Sequence, residues 1–364
     1  MTTSLYYLGP RGTFTHQAAM LAAPRLNAIR RAMAAASPDR RGAASSAPSS
    51  AAPCDGTDLA IVEAPTAADI FERVSRHEGW GVIAWENNVE GYVVPNLDAL
   101  LDARDVVGID RVSIDIAFDA FVSDNHGELT EAAAHPHGLA QCAGFLRTRG
   151  LRPHPTDSNA AACRDIGPHQ VALGPRLCGD LYGLQTLERN VQDFQGARTD
   201  FLVIVPRGTA RACLEAERRL DADADHYESI LGLVPLHTGP GTVATMLDVL
   251  RDAGLNMTSF ISRPIKGRDG TYSFIATIDA APWKPSFREA LRGMTTSDTW
   301  AKTLAVYERR DRPDPPISAW MLPDGGVRPG DDGAGGAPGA DGAPTAGEDR
   351  ETRQEREERE LLWR

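Results

Sequence analysis

Between Leu5 and Pro206 six short apolar runs, LYYL, DLAIV, WGVIAW, IDIAFDAFV, QVALG and FLVIV, alternate with alanine-rich stretches that read as helices. Such runs suit strands buried on both faces of a sheet, and their alternation with helices is the pattern of an α/β domain. From Glu228 to Arg309 the order changes to strand (ESILGLVP), helix (GTVATMLDVLRDAG), strand (NMTSFISRP), strand (GTYSFIATID), helix (SFREALRGM) and strand (TLAVYERR). This βαββαβ order predicts a second, ferredoxin-like domain. The expected boundaries are 4–206 and 228–309.

Three stretches lack a clear apolar face. Residues 24–55 are a mixture of Ala, Ser, Pro and Arg that predicts a low-complexity insertion between the first helix and the second strand. Residues 207–227, rich in Ala, Arg, Glu and Asp, read as a linker that is helical in part. Residues 310–364 are Gly/Pro/Asp-rich and then highly charged, which predicts an appended disordered tail.

With 364 residues, 42% of them hydrophobic, the chain is long enough for two cores plus tails. A formal charge of −12 with no long basic patch disfavours nucleic acid and membrane surfaces as partners. The N-terminus, MTTSLYYLGP, has neither a basic n-region nor an apolar h-region, and no apolar run approaches the roughly 20 residues that span a bilayer. A cytoplasmic protein with a small-molecule partner is expected. Its five cysteines (Cys54, Cys142, Cys163, Cys178, Cys213) are scattered and never spaced as metal ligands, so structural thiols and no metal site are expected.

Several short stretches carry chemistry, each with an ordinary structural alternative. GPRGTFTHQAA follows the first strand and opens a helix. It is either a plain capped turn or a helix N-terminus where backbone N–H groups and the Thr13 and Thr15 hydroxyls receive an anion. IAWENNVEGYVVPN places Glu86, Asn87, Asn88 and Glu90 at the C-terminal end of a strand, where open α/β sheets hold ligands and where solvated Asx turns also occur. HPHGLAQC sets His135, His137 and Gln141 around a helix start, for capping or contact. TDSNAAACRDI offers Asp157, Ser158 or Asn159 as an N-cap. In ARTDFLVIV, strand alternation puts Thr199 and Phe201 on one face and Arg198 and Asp200 on the other.

Taken in order, GPRGTFT, WENNVEG, HPHGLAQC, SNAAA, LYGLQTLERNVQD and ARTDF resemble the motifs of prephenate dehydratases. The later TGPGTVATML and ISRP resemble those of the ACT regulatory domain that follows in that family. The chain departs from the family pattern at Ala84, Asn88, His137, Asn159 and Ala197, at Asp200 where the family has Arg, and at Thr242, Val243 and Ile261. The resemblance implies a catalytic domain of two lobes like type II periplasmic binding proteins, with the site between them. It implies that prephenate loses carbon dioxide and water to give phenylpyruvate without a cofactor. Thr199, Glu86 and Asn87 would be catalytic, with Thr13, Phe14, Asn88, Gln141, Ser158, Asn159 and Phe201 binding substrate. Helix starts at Thr13 and Ser158 would suit its carboxylates. L-Phenylalanine would act as effector at Gly241, Thr242, Val243, Asn256, Ser262 and Arg263 between subunits of a homodimer or homotetramer. Two further readings stay open: a catalytically silent amino-acid or solute sensor, favoured by Asp200, and an arogenate-preferring dehydratase.

Overall fold

A computed structural model of the protein describes residues 3–36, 58–221, 226–296, 298–310 and 323. The chain begins with β1 (Ser4–Leu8), α1 (Phe14–Ala36), β2 (Ala60–Ala64), α2 (Ala67–Ser75), β3 (Gly79–Asn87), β4 (Gly91–Tyr92), α3 (Val94–Asp102) and β5 (Val106–Asp115). It then crosses to a second sheet with β6 (Asp119–Val122), β7 (Glu131–Ala134), α4 (Pro136–Gln141), α5 (Ala143–Arg149), β8 (Arg152–Pro155), α6 (Asn159–Arg164), β9 (Gln170–Gly174), α7 (Leu177–Tyr182) and β10 (Gln185–Glu188). It returns as β11 (Arg198–Pro206) and continues into α8 (Arg207–Leu220). The C-terminal module is β12 (Tyr227–Pro235), α9 (Thr242–Asp252), β13 (Met257–Pro264), β14 (Tyr272–Ile278), α10 (Pro285–Thr296) and β15 (Thr299–Glu308).

The two lobes share one strand pattern. In the first sheet β11 lies antiparallel between β3 and β5, and in the second β6 lies antiparallel between β9 and β10. Each lobe therefore takes in the strand that has just arrived from the other. The run IDIAFDAFV divides at this crossing, with its first residues ending β5 and its last forming β6. There Ile116 N–H donates to Ala197 at 2.7 Å and Val191 N–H to Phe118 at 2.8 Å, so the outgoing and returning segments hold each other.

The expected βαββαβ order is present at the C-terminus, with strand order β13-β14-β12-β15. One face of that sheet buries Leu231 and Leu233 against Met246, Leu250 and Phe287 of its own helices. The opposite face, through Ile230, Ile275 and Leu304, shares a core with Leu97 and Leu100 of α3. β15 also meets β5, where Ala305 stands opposite Gly108. A Cβ on Gly108 would sit 2.7 Å from that of Ala305, so glycine permits the two sheets to join. Lys302 adds a polar bolt, its ammonium donating to the carbonyls of Leu100, Leu101 and Ala103 at the end of α3.

Three expected boundaries move. Helix α1 runs through Pro24 to Ala36, so residues 24–36 belong to the fold, while residues 37–55 lie outside the described residues. The stripe Ala18, Ala22, Leu26 and Ile29 is continuous and buried. Residues 207–220 form α8, whose Cys213, Leu214 and Ala216 are buried, Cys213 standing by Met33 of α1. Neither stretch stands out in the sequence because much of what each buries is alanine, cysteine or a charged residue. Buried Glu217 of α8 is paired with Arg25 of α1 and with Arg310, which also bonds Asp110. Arg310 is thus part of the folded unit. The remainder of the expected tail lies outside the described residues apart from residue 323. No helix of the described residues is long and apolar enough to cross a membrane.

Candidate active site

A β-bulge sets the site. Along the β3–β11 ladder Thr199 opposes Asn87 and Asp200 opposes Glu86, but Phe201 opposes Ala84, so Trp85 is an extra residue on β3. The extra residue reverses the alternation. Ala84 and Asn87 consequently share the cleft with Thr199 and Phe201, whereas Glu86 is hydrogen-bonded to Tyr92 and does not line the cleft. Glu86, expected among the catalytic groups, is thus placed off the cleft wall. On β11 the alternation holds as read: Asp200 accepts from Ser113 Oγ at 2.5 Å and lies near Arg111 (3.5 Å) and Arg198 (3.7 Å), away from the cleft.

Thr199 is oriented by its neighbour. Asn87 Nδ2 donates to Thr199 Oγ1 at 2.9 Å, and both residues are buried. The Asn87 amide cannot usefully flip, because its Oδ1 accepts the backbone N–H groups of Val89 and Glu90 at 2.9 and 3.0 Å. Leaving the buried Asn87 amide oxygen without those partners would cost about 1–3 kcal/mol. Thr199 Oγ1 therefore accepts from Asn87, and its own proton is free to serve the cleft. Asn88 is one residue too far along to reach that space. Its side chain instead accepts from Arg198 N–H at 2.7 Å and donates to Gly196 at 2.9 Å, pinning the segment that leads into Thr199.

The cleft between the lobes has a volume of about 670 Å³. Thr13, Phe14, Gln141, Ser158 and Asn159 line it together with Asn87, Thr199 and Phe201. Thr13 Oγ1 donates to Leu8 and accepts from His16 N–H, so it caps α1 and has no proton left for a ligand. Ser158 Oγ accepts from Ala161 N–H and keeps its own proton. Asn159 Oδ1 accepts from His135 N–H. Ile116, Phe118 and Phe14, the two rings edge to face at 5.6 Å, form an apolar wall.

Groups outside the expected set also face this space. Glu90 of the first lobe reaches His137 Nδ1 and Gln141 Nε2 of the second, both at 2.8 Å, and so ties the lobes across the cleft. Burial, with His137 next in effect, holds His135 below the ordinary histidine range. Its Nδ1 accepts from His137 N–H, which leaves Nε2 as the protonated ring nitrogen. Glu63, exposed at the end of β2, and Asp157 add negative charge, against Arg164 as the lining guanidinium. Glu63 sits where α/β strands end over a ligand cleft, and that position was its one signal in the sequence.

A two-lobed α/β fold, each sheet receiving an antiparallel strand from the other and the cleft lying at the crossing, defines the periplasmic-binding-protein-like class. Residues 42–209 match the family model for prephenate dehydratase. The prephenate dehydratase of Amycolatopsis methanolica is 28% identical over 316 residues, covering 84% of this chain and 88% of its own. The solved prephenate dehydratase of Arthrobacter aurescens in complex with L-Phe has a TM-score of 0.65 at 22% identity, covering 88% of this chain and 94% of that one. A structure described as GqqA, a novel type of quorum quenching acylases, gives 0.63 at 19% identity, covering 84% and 97%. At those identities the two structures speak for the fold alone.

Proposed function

We propose that this protein is a prephenate dehydratase, converting prephenate to phenylpyruvate, carbon dioxide and water in phenylalanine biosynthesis. The observation that carries the reading is the Asn87–Thr199 hydrogen bond, which leaves the threonine proton free inside a largely apolar cleft. In the reaction the bond from the ring to its carboxylate breaks, the electron pair aromatises the ring, and the C4 hydroxyl departs as water with one net proton taken up from the solvent. Thr199 donates a hydrogen bond to that departing oxygen, and Asn87 holds the Thr199 oxygen from behind. Threonine is too weak an acid to surrender its proton outright, so its part is that of an oriented donor where charge develops. Phe14, Ile116, Phe118 and Phe201 keep water from the carboxylate that leaves. Ser158 Oγ–H and the first turn of α1, at Phe14 and Thr15, receive substrate carboxylate.

The C-terminal module is read as an ACT-type regulatory domain with L-phenylalanine as effector. Gly241, at φ +87°, leads into α9 with Thr242 and Val243, and Asn256 lies between α9 and β13. Ser262 and Arg263 lie on β13, the outer strand of the sheet. An edge strand that pairs with one strand only among the described residues favours side-by-side pairing of two copies, in keeping with a cytoplasmic homodimer or homotetramer. Within one chain, however, Arg263 is already engaged with Asp98 of α3.

The test is phenylpyruvate formation from prephenate by purified protein, followed by absorbance in alkali. Turnover proportional to enzyme is expected, and none above the uncatalysed rate at any concentration would leave a silent binding protein instead.

A further inference from the structure

Glu86, turned off the cleft wall, stands opposite Tyr92 in the β3–β4 ladder, where Val93 N–H also donates to the Trp85 carbonyl at 2.8 Å. The Tyr92 ring meets that of Trp85, the extra residue of the bulge, edge to face at 5.7 Å. Its hydroxyl is hydrogen-bonded to the Glu86 side chain. One side chain therefore holds both residues that lie between Ala84 and Asn87. The other contacts of that hydroxyl come from the C-terminal module. Ser259 Oγ of β13 lies 2.5 Å from Tyr92 Oη, and Thr277 of β14, opposite Ser259 in the β13–β14 ladder, also bonds the hydroxyl through its side chain. Burial above all pushes Tyr92 up to about 12, so the hydroxyl keeps its one proton. A carboxylate only accepts, so that proton goes to Glu86, and the Ser259 and Thr277 hydroxyls donate to the tyrosine oxygen. The chain thus runs in one sense, from Ser259 through Tyr92 to Glu86, and each bond strengthens the next.

We propose that Tyr92 is a positioning residue for the threonine donor: its ring and hydroxyl fix Trp85 and Glu86, the bulge at Trp85 directs Asn87 at Thr199, and Ser259 of the C-terminal module fixes the hydroxyl. Asn87 meets Thr199 at 2.9 Å, and a displacement of about 1 Å in a group that orients chemistry costs about 10² in rate. The C-terminal module thereby contributes to the support of the donor through a single hydroxyl on β13. Glu86 acts in the same chain, from behind the cleft wall. The effect on turnover rests on the dehydratase reading, whereas the effect on the bulge does not.

Steady-state turnover of prephenate and amide hydrogen exchange by mass spectrometry, on the full chain, test the role in Tyr92→Phe, Ser259→Ala, the two combined, and Ser259→Thr. Tyr92→Phe keeps the ring on Trp85 and removes only the hydroxyl. It should lower kcat about tenfold with KM nearly unchanged, and Ser259→Ala should lower kcat about threefold or more. The combined variant should match Tyr92→Phe within about twofold, because the serine acts only through the tyrosine. Ser259→Thr keeps the hydroxyl and should retain the rate. Peptides covering Val89 and Glu90, whose N–H groups Asn87 holds, should exchange faster in Tyr92→Phe, while those of β7 in the second lobe stay as they were. Circular dichroism checks folding, and if Tyr92→Phe does not fold, Ser259→Ala against Ser259→Thr gives the same comparison. In an active protein the inference is overturned by folded Tyr92→Phe unaltered in kcat or in exchange, or by losses that multiply in the combined variant. If no form turns prephenate over, the dehydratase reading falls and exchange alone decides: faster exchange at Val89 and Glu90 supports the positioning role, and unchanged exchange overturns it.

Discussion

Asn87 donates its amide to Thr199 Oγ1 at 2.9 Å while the backbone of Val89 and Glu90 holds the opposite end of that amide. Thr199 is thereby made an acceptor toward Asn87 and a donor toward the cleft. Asn87→Asp preserves the acceptor for both backbone N–H groups but replaces the donor with a second acceptor. The Thr199 proton should then turn to the new carboxylate. We expect kcat on prephenate to fall about 10²-fold with KM nearly unchanged. A folded variant with unaltered kcat would show that Asn87 does not orient the proton.

Asp200 stands on the opposite face from Thr199, held by Ser113 and near Arg111 and Arg198. On the proposed reading, an aspartate at this position, where the resembled motif has arginine, changes the support of the strand and leaves the donor in place. Asp200→Ala should cost about 1–2 kcal/mol of stability by urea denaturation, with kcat within a small factor of the unaltered protein. A loss of kcat as large as that of a Thr199 variant, in folded protein, would mean that Asp200 reaches the substrate or its proton path.

Asp110 links stability to pH. Its Oδ1 accepts from Arg111 N–H and from Arg310, while Oδ2 is buried without a hydrogen-bond partner among the described residues. Burial pushes its carboxyl up to about 6, against the attraction of Arg25. An unfolded aspartate titrates near ~3.9, so the folded chain binds this proton more tightly. The resulting stabilisation is complete below about pH 4 and is lost as pH rises through about 6. Asp110→Asn cannot titrate there. Between pH 7 and pH 5 the unaltered protein should gain about 1 kcal/mol relative to the variant in urea melts. Glu228, also raised by burial, titrates in both proteins and cancels, whereas Glu308, raised by burial too, repels Asp110, so the difference between the slopes reports Asp110 together with that coupling. Identical pH slopes would contradict the assignment.

The apolar runs and the capped turns at Thr13 and Ser158 were legible because each depends on neighbours a few residues away. The face presented by Glu86 was not. Strict alternation from Ala84 would bring Glu86 into the cleft, and only the pairing with β11 reveals Trp85 as the extra residue. The same limit applies to α8, where Glu217 is buried through its pairing with Arg25 of α1, far away in sequence. Glu90 was visible within WENNVEG, but its role in tying the lobes depends on His137 and Gln141 arriving from the second sheet.

The most direct measurement is the steady-state turnover of prephenate by the unaltered protein, Thr199→Ala and Thr199→Ser, with folding checked by circular dichroism. If Thr199 donates to the departing hydroxyl mainly in the transition state, Thr199→Ala should lower kcat by about 10² to 10³ while KM moves little. Thr199→Ser, which keeps the hydroxyl, should retain a measurable part of the rate. Folded Thr199→Ala with kcat equal to that of the unaltered protein would contradict the assignment of the donor.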